Sequence, residues 1–448
     1  MTPTATSLDA LRQKLRGTAV LPGEPGWDDA RSAWNLAIDQ RPAAVVQAAD
    51  AADVQATVRF AAAHGLRVAP QSTGHGAEAL PALDGVILLK TSALRDLSID
   101  PASGTARIGA GAQAADVGRA AAEHGLAAPL GLASSVGVTG LTLGGGTGWL
   151  SRAHGLTAEN AVAFELVTPD GELRTVDAGR EPDLFWALRG GGGRFGVVTA
   201  VTLRLHPLSE AFGGFRIWPA EHAPDVLEGF RRLIADAPDT LSAVFRFMAI
   251  PDVDGPPPFL RGKRVVSITA VHLGGAADGE RALAEIRAGA NEVADTFGPI
   301  GPGDLSAVAN DPDGPVPAYG GGFLLDRFEA GTLEAAVELI AGDALDGLTV
   351  FELRQLGGAI ARGGDGALGA IVQPISVFLT GPVTDPDAPA RLAGRIAAVR
   401  DALSPWESAR TLQNLAMDRD PTRAFGADAA ARLEQIRASV DPEGLLVA

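Results

Sequence analysis

The 448-residue chain contains no cysteine, which excludes disulfides, thiolate nucleophiles and thiolate metal sites together. Tyrosine occurs once, at Tyr319 beside Gly320–Gly322, where a loop is expected. Lysine is confined to Lys14, Lys90 and Lys263. With heavy Ala and Gly usage, that bias reads as GC-rich coding rather than as a basic patch. No apolar run reaches the ~18 residues of a membrane span, and Met1–Lys14 lacks the basic-then-apolar pattern of a signal. A soluble, cytoplasmic protein is expected. The net charge of −17 argues against nucleic acid or anionic membrane as partner.

Glycine, by contrast, is abundant, with 56 residues. Gln71-Ser72-Thr73-Gly74-His75-Gly76 follows the apolar stretch Leu66–Pro70. Such a turn at a strand end offers free backbone N–H groups to a phosphate. The segment Gly131–Leu150 holds seven glycines and almost no charge, and Arg189–Thr199 carries a third cluster that opens into an apolar strand. Without Cβ atoms, such backbone can approach a large flat ligand closely. Three clusters in one half of the chain point to a bound cofactor.

Length and a hydrophobic content of 46% suit two domains with sizeable cores. Up to Leu205 helices and short strands alternate: Asp50–His64 and Ala114–His124 have helical spacing, Val86–Leu89 reads as a buried strand, and Gly65 and Gly125 resemble C-cap glycines. Beyond His206 the strands lengthen (Ala243–Met248, Val265–His272, Leu348–Leu356, Ile371–Leu379). Helices are expected at Ala223–Ile234, Gly279–Ala290 and Thr332–Ile340. An antiparallel sheet with helices on one face accounts for this half, giving an α+β fold overall. Pro251–Pro258 and Gly363–Gly369 read as loops.

Other chemistries find no support. Gly109-Ala110-Gly111-Ala112-Gln113-Ala114 mimics a dinucleotide fingerprint, but no acidic residue ends a second strand about twenty positions on. Lys90-Thr91 lacks the glycine required before a P-loop lysine, and neither H-E-x-x-H nor G-x-S-x-G occurs.

The three clusters, together with Trp34-Asn35, Arg41-Pro42-Ala43, Pro182–Ala187 and the tail Asp441–Leu445, occur in an order that resembles the FAD-linked oxidases of the vanillyl-alcohol oxidase and p-cresol methylhydroxylase (PCMH-type) fold, in their berberine-bridge-enzyme-like branch. The resemblance covers nearly the whole chain. It implies an FAD-binding domain at 1–205, a substrate-binding domain at 206–404 and a segment at 405–448 that returns to the first. It also implies that loop 71–76 wraps the pyrophosphate and that His75 bonds the flavin 8α-methyl carbon. Ala133 stands where bicovalent relatives carry cysteine, so the resemblance implies His75 as the single attachment; the alternative is a histidine that only packs near a non-covalent flavin. Val136 falls at the position thought to gate oxygen, where small side chains accompany oxidases. Gly131, Gly137, Gly140, Leu141, Gly144, Gly145, Gly148, Trp149 and Leu150 are expected to line the ring and ribityl chain, with Asn160 and Val198 near the adenosine and Asn414 contributing from the C-terminal segment; plain backbone packing is the alternative for each. Thr411-Leu412-Gln413-Asn414 lacks the tyrosine that relatives often place before that asparagine.

On the substrate side Glu352 aligns with a carboxylate that relatives place near the substrate, and strand alternation puts Arg354 on its face. A buried Glu352 would have its pKa raised by desolvation and could act as base; an ion pair with Arg354 is the alternative. His272 is a second acid/base candidate, with a core or rim histidine as its alternative. The resemblance implies an oxidase that removes a hydride from a C–OH or C–N centre of a small molecule, with reoxidation by O2, in a monomer or homodimer. The alternatives are a dehydrogenase with another acceptor, a flavin-dependent oxygenase, or a degraded flavin-binding protein. No metal is expected.

Overall fold

The computed structural model describes residues 5–287, 291–312, 314–415 and 420–447. Residues 1–4, part of the start read above as lacking a signal, lie outside them.

Three larger sheets and one two-stranded sheet, Leu126–Ala127 with His206–Pro207, organise the described residues. The first has four strands in the order Thr18–Val20, Ala44–Gln47, Val86–Lys90, Arg67–Gln71, the last three mutually parallel. Val86–Lys90 is buried on both faces, as its unbroken apolar run requires. The crossover helix Ala51–Ala63 is capped by Asp50, whose side chain accepts from Asp53 N–H. Asp53 in turn accepts from the backbone N–H groups of Arg16, Gly17 and Ala49, each at 2.8 Å, and ties the N-terminal strand down. The tail closes this sheet from the other side. Val68 N–H donates to the Leu445 carbonyl and Val447 N–H to the Val68 carbonyl, each at 2.8 Å, while the Asp441 carboxylate accepts from Leu445 and Leu446 N–H at 2.8 and 2.9 Å.

A second, antiparallel sheet of five strands (Leu97–Asp100, Thr105–Gly109, Val197–Arg204, Ala161–Val167, Leu173–Asp177) completes the first half. The third sheet has eight strands, all antiparallel, with Arg264–His272, Leu241–Ala249, Val350–Gln355 and Ile375–Pro382 as consecutive neighbours at its centre. Helices Ala223–Ala235, Ala330–Ala341 and Ala388–Leu403 cover one face around Phe230, Phe245 and Phe351. The other face turns toward the first half, where Val244 and Val271 share a buried cluster with Trp149 and Leu150. The fold is the α+β arrangement expected.

Details differ. Tyr319 lies in the strand Ala318–Leu325, not in a loop. The helix expected at Gly279–Ala290 is two short ones, Ala276–Ala282 and Ala284–Arg287, and residues 288–290 lie outside those described. The segment Gly363–Gly369 is a loop, as expected, and Ile360, Ala367, Leu368 and Ile371 in and around it pack into the core built on the five-stranded sheet. Gly109 and Gly111 have a packing reason, since a Cβ on either would collide with the carbonyl oxygen of Leu94 or Ser92. Among the described residues, no helix is long and apolar enough to cross a membrane.

Candidate functional site

Because the strand Arg67–Gln71 is flanked by Val86–Lys90 and by the tail at Leu446, the loop leaving it is held at its base. Gln71 points inward, which corrects its expected place on the cofactor: its Oε1 accepts from Lys90 Nζ, and its Nε2 donates to Gln40 Oε1 at 3.2 Å. Lys90 also donates to the Ser32 carbonyl at 2.7 Å, and burial pushes its ammonium down to about 8. This lysine, a failed P-loop residue in the sequence, is a brace for the loop.

Beyond Gln71 the loop turns at Gly74, whose φ of +87° favours glycine and where a Cβ would lie 2.9 Å from Ala33 Cα. The His75 ring stacks on Trp34, with centroids 4.2 Å apart and planes 20° from parallel. Trp34 N–H donates to the Thr73 carbonyl at 3.0 Å, and Thr73 Oγ1 lies 2.8 Å from His75 Nδ1. Burial pushes the imidazole down to about 4, so it is neutral at pH 7.

His75 Nε2 is buried without a hydrogen-bond partner, and so are Trp34 Nε1, Ser72 Oγ, Ser135 Oγ and Thr139 Oγ1. A Cβ on Gly137 would lie 3.2 Å from Ser72 Oγ and 3.5 Å from Thr73 Cγ2, which seats the segment 135–139 against the loop. Val136 is half-buried beside it, while Gly76 and Gly140 are exposed with open space where a Cβ would stand. A buried polar group without a partner costs about 1–3 kcal/mol. Five in one wall fit a polar cofactor such as FAD.

The remaining glycines answer to other needs. Gly131 packs under the Leu141 side chain, and a Cβ on Gly144 would collide with Asn414, on Gly145 with Leu368, and on Gly148 with the Leu130 carbonyl. Asn414 itself donates to the Leu141 carbonyl at 3.1 Å. These positions lack side chains so that other parts of the chain can meet, which is the backbone-packing alternative to ligand contact. Trp149 and Leu150 are buried in the contact with the large sheet, and Ser242 Oγ donates to the Trp149 carbonyl at 3.1 Å. They join the two halves. Asn160 is also engaged within the protein: its Nδ2 donates to the His154 and Leu156 carbonyls at 3.0 and 2.9 Å, and its Oδ1 meets His206 Nε2 at 2.8 Å. Val198 is a buried core residue of the five-stranded sheet.

On the large sheet, Val244 faces the first half and pairs in register with Arg354, so Arg354 and Glu352 share that face. Glu352 is 1% exposed. Both its oxygens are taken, one by Arg246 Nε and one by Arg354 Nε. Arg246 also donates to the Ala309 carbonyl at 2.6 Å and pairs with Asp311 at 3.1 Å. The two guanidiniums outweigh desolvation and hold the Glu352 carboxyl below its usual range. The raised pKa expected for a base is therefore not what the structure has. His272 is likewise corrected: it pairs with Leu241 and Phe212, both in the helix-covered core, and so points away from the first half, while Val271 faces it. Its Nε2 meets Thr240 Oγ1 at 3.3 Å.

Sequence reasoning missed Arg152. Only 6% exposed, it crosses the boundary between the halves to donate to the carbonyls of Leu241 (2.7 Å), Leu356, Ala237 (3.1 Å) and Pro238 (3.3 Å). Its signal is the Ser151-Arg152-Ala153-His154 helix directly after the second glycine cluster.

Residues 42–177 match the FAD binding domain family. Over 288 residues the chain is 33% identical to (R)-6-hydroxynicotine oxidase of Paenarthrobacter nicotinovorans, covering 63% of this chain and 60% of that one. The chain spans between 34% and 60% of the lengths of the curated relatives it matches. The crystal structure of 6-hydroxy-D-nicotine oxidase from Arthrobacter nicotinovorans superposes with a TM-score of 0.82 at 24% identity over 96% of both chains. A BBE-like protein of Physcomitrella patens gives 0.85 at 20% identity, covering 98% of this chain and 97% of that one. Below 25% identity these likenesses establish the fold.

Proposed function

We propose that this chain, whose residues 42–177 belong to the FAD binding domain family and whose fold is the two-domain PCMH-type fold, is an FAD-dependent oxidase of a small organic molecule. The observation that carries the reading is the wall of five buried, unpartnered polar atoms around His75 and Gly137. Ser72, Thr73, Gly74 and Gly76 would hold the pyrophosphate through backbone N–H groups, with His75 as the single covalent attachment. Bound there, FAD supplies an acceptor at N5 for the hydride of a C–OH or C–N centre and returns the electrons to O2, giving hydrogen peroxide.

This chain's residues do the remainder. The large sheet roofs the substrate, and the Trp149 contact and the Arg152 clamp hold that roof in place. Glu352, kept ionised by Arg246 and Arg354, fixes both guanidiniums; Arg354 is the cation on that face that can steady a substrate oxygen as its proton leaves. Valine at position 136 supports oxidase behaviour. The reading extends to a cytoplasmic monomer or homodimer.

Acid precipitation tests it. Purified protein should be yellow, the colour should stay in the pellet, and His75→Ala should release it. Colourless, well-folded protein refutes the proposal. Anaerobic bleaching by an alcohol or amine followed by slow recovery in air assigns the electrons to an acceptor other than O2.

A further inference from the structure

We infer that Asp311, rather than Glu352, is the catalytic residue that takes the O–H or N–H proton of the substrate; the inference rests on the oxidase reading above and names its base. Four charged side chains gather on the face of the large sheet that turns toward the first half. Arg246 pairs in register with Glu352, and Arg354 lies two residues further along the same strand. Glu352 gives one oxygen to each guanidinium. Arg246 reaches on to the Ala309 carbonyl at 2.6 Å and to Asp311 Oδ1 at 3.1 Å. The two carboxylates therefore differ. Glu352 is 1% exposed and has no oxygen left for a proton. Asp311 keeps 31% of its side chain exposed, and among the described residues nothing donates to its Oδ2.

The chain around Asp311 runs from the large sheet to the wall that carries His75. At one end Arg246 holds Ala309. At the other, the Val316 carbonyl accepts from Leu36 N–H at 3.1 Å. The Asn35 side chain donates to the Ala318 carbonyl at 2.9 Å and accepts from Ala318 N–H at 3.1 Å. Asn35 follows Trp34, on which the His75 ring stacks. Asp311 thus stands on the span between the residues proposed to hold the flavin and the sheet proposed to roof the substrate.

Its surroundings suit the task. Burial, reinforced by the Glu352 charge, outweighs Arg246 and Arg354 and holds the Asp311 carboxyl above its usual range. Glu352, although desolvated, is held below its own by the same two guanidiniums. When neighbouring carboxyls are pushed apart in this way, the lower stays an anion and the higher exchanges protons. The step balances. The O–H or N–H bond of the substrate breaks and its proton passes to Asp311 Oδ2, while the electron pair left behind forms the new C=O or C=N bond. The C–H hydrogen leaves with its electron pair to flavin N5, so the substrate loses two electrons and the flavin gains them. Dioxygen then takes up those two electrons and two protons, the one on Asp311 among them.

The experiment loads the protein with FAD, labels its aspartates isotopically and titrates the carboxyl carbons by NMR, with Asp311→Asn marking the signal. Asp311 should titrate above the ~3.9 of an unperturbed aspartate, and a midpoint at or below that value overturns the inference. Anaerobic bleaching of the flavin by benzyl alcohol or benzylamine should slow as pH falls through the same midpoint. Asp311→Asn should bleach about 100-fold more slowly and lose that acid limb. Added formate should restore rate to Asp311→Ala as an external base, a rescue that a merely structural carboxylate would not show. Asp311→Asn that bleaches at the wild-type rate, or Glu352→Gln that loses the acid limb in its place, overturns the inference and leaves the flavin reading standing. Folded protein that holds no FAD fails the flavin reading itself, and FAD-loaded protein that no alcohol or amine bleaches fails the oxidase reading; the inference falls with either. If Asp311→Asn does not fold, Asp311→Glu marks the signal and the wild-type profile decides, since a rate that stays flat through the midpoint overturns the inference.

Discussion

Replacing Glu352 by glutamine separates a structural anion from a catalytic base. The carboxylate lies between Arg246 and Arg354 with both oxygens engaged. Breaking a buried ion pair by neutralising one member costs about 3–5 kcal/mol, because the stranded cation stays desolvated. Asp311 remains on Arg246 at 3.1 Å, and the glutamine oxygen can still accept from one guanidinium, so the low end, about 3 kcal/mol, is expected. With an unfolding entropy of ~2.1 cal/mol/K per residue, that loss lowers the melting temperature by ~3 °C if the whole chain unfolds together, and by ~7 °C if only the ~200 residues of the large-sheet domain do. Melts followed by circular dichroism and by flavin release distinguish the two. Adding Arg354→Met should recover part of the loss, since the double variant no longer strands that cation. A Glu352→Gln protein within ~1 kcal/mol of wild type whose turnover falls and whose pH profile loses its acid limb would refute this account and make Glu352 the proton acceptor.

Gly148→Ala should destabilise by about 3 kcal/mol or more, because its Cβ meets the Leu130 backbone carbonyl, which cannot rotate away. Gly140→Ala, within the helix Val138–Leu143 and facing open space, should stabilise the cofactor-free protein by about 0.5–1 kcal/mol yet weaken FAD retention; urea titrations with and without FAD read both. Stability should also fall with acid. In flavin-free protein, burial holds His75 and His206 at about 4 against 6.5 when unfolded. The unfolded chain binds more protons between those values, so stability is full above 6.5 and drains as pH falls toward 4, by about 2–3 kcal/mol per histidine at most. A urea midpoint that stays flat across this window contradicts the burial of both rings.

Local signals carried far along this sequence. Asp50 and the apolar spacing behind it mark the crossover helix, the run Val86–Lys90 marks a strand buried on both faces, and the loop ending at His75 stands where the strand Arg67–Gln71 stops. What stayed hidden depends on partners distant in sequence. Gly144, Gly145 and Gly148 look like ligand contacts until Asn414, Leu368 and Leu130 are seen against them. Glu352 looks like a base until Arg246, on the neighbouring strand and 106 positions away, takes one of its oxygens. His272 was a matter of phase: alternation separates it from Val271, but only the packing of Val271 on Trp149 shows which of the two faces the first half.

The pairing of Leu445 and Val447 with Val68 has a consequence for how the protein is made. The strand that presents the His75 loop gains its outer neighbour from residues synthesised nearly 380 positions later. During translation that edge stays open, and closing so long a separation is slow. Flavin loading should therefore wait on synthesis of the segment 441–447, and nascent chains cut just short of Asp441 should emerge colourless.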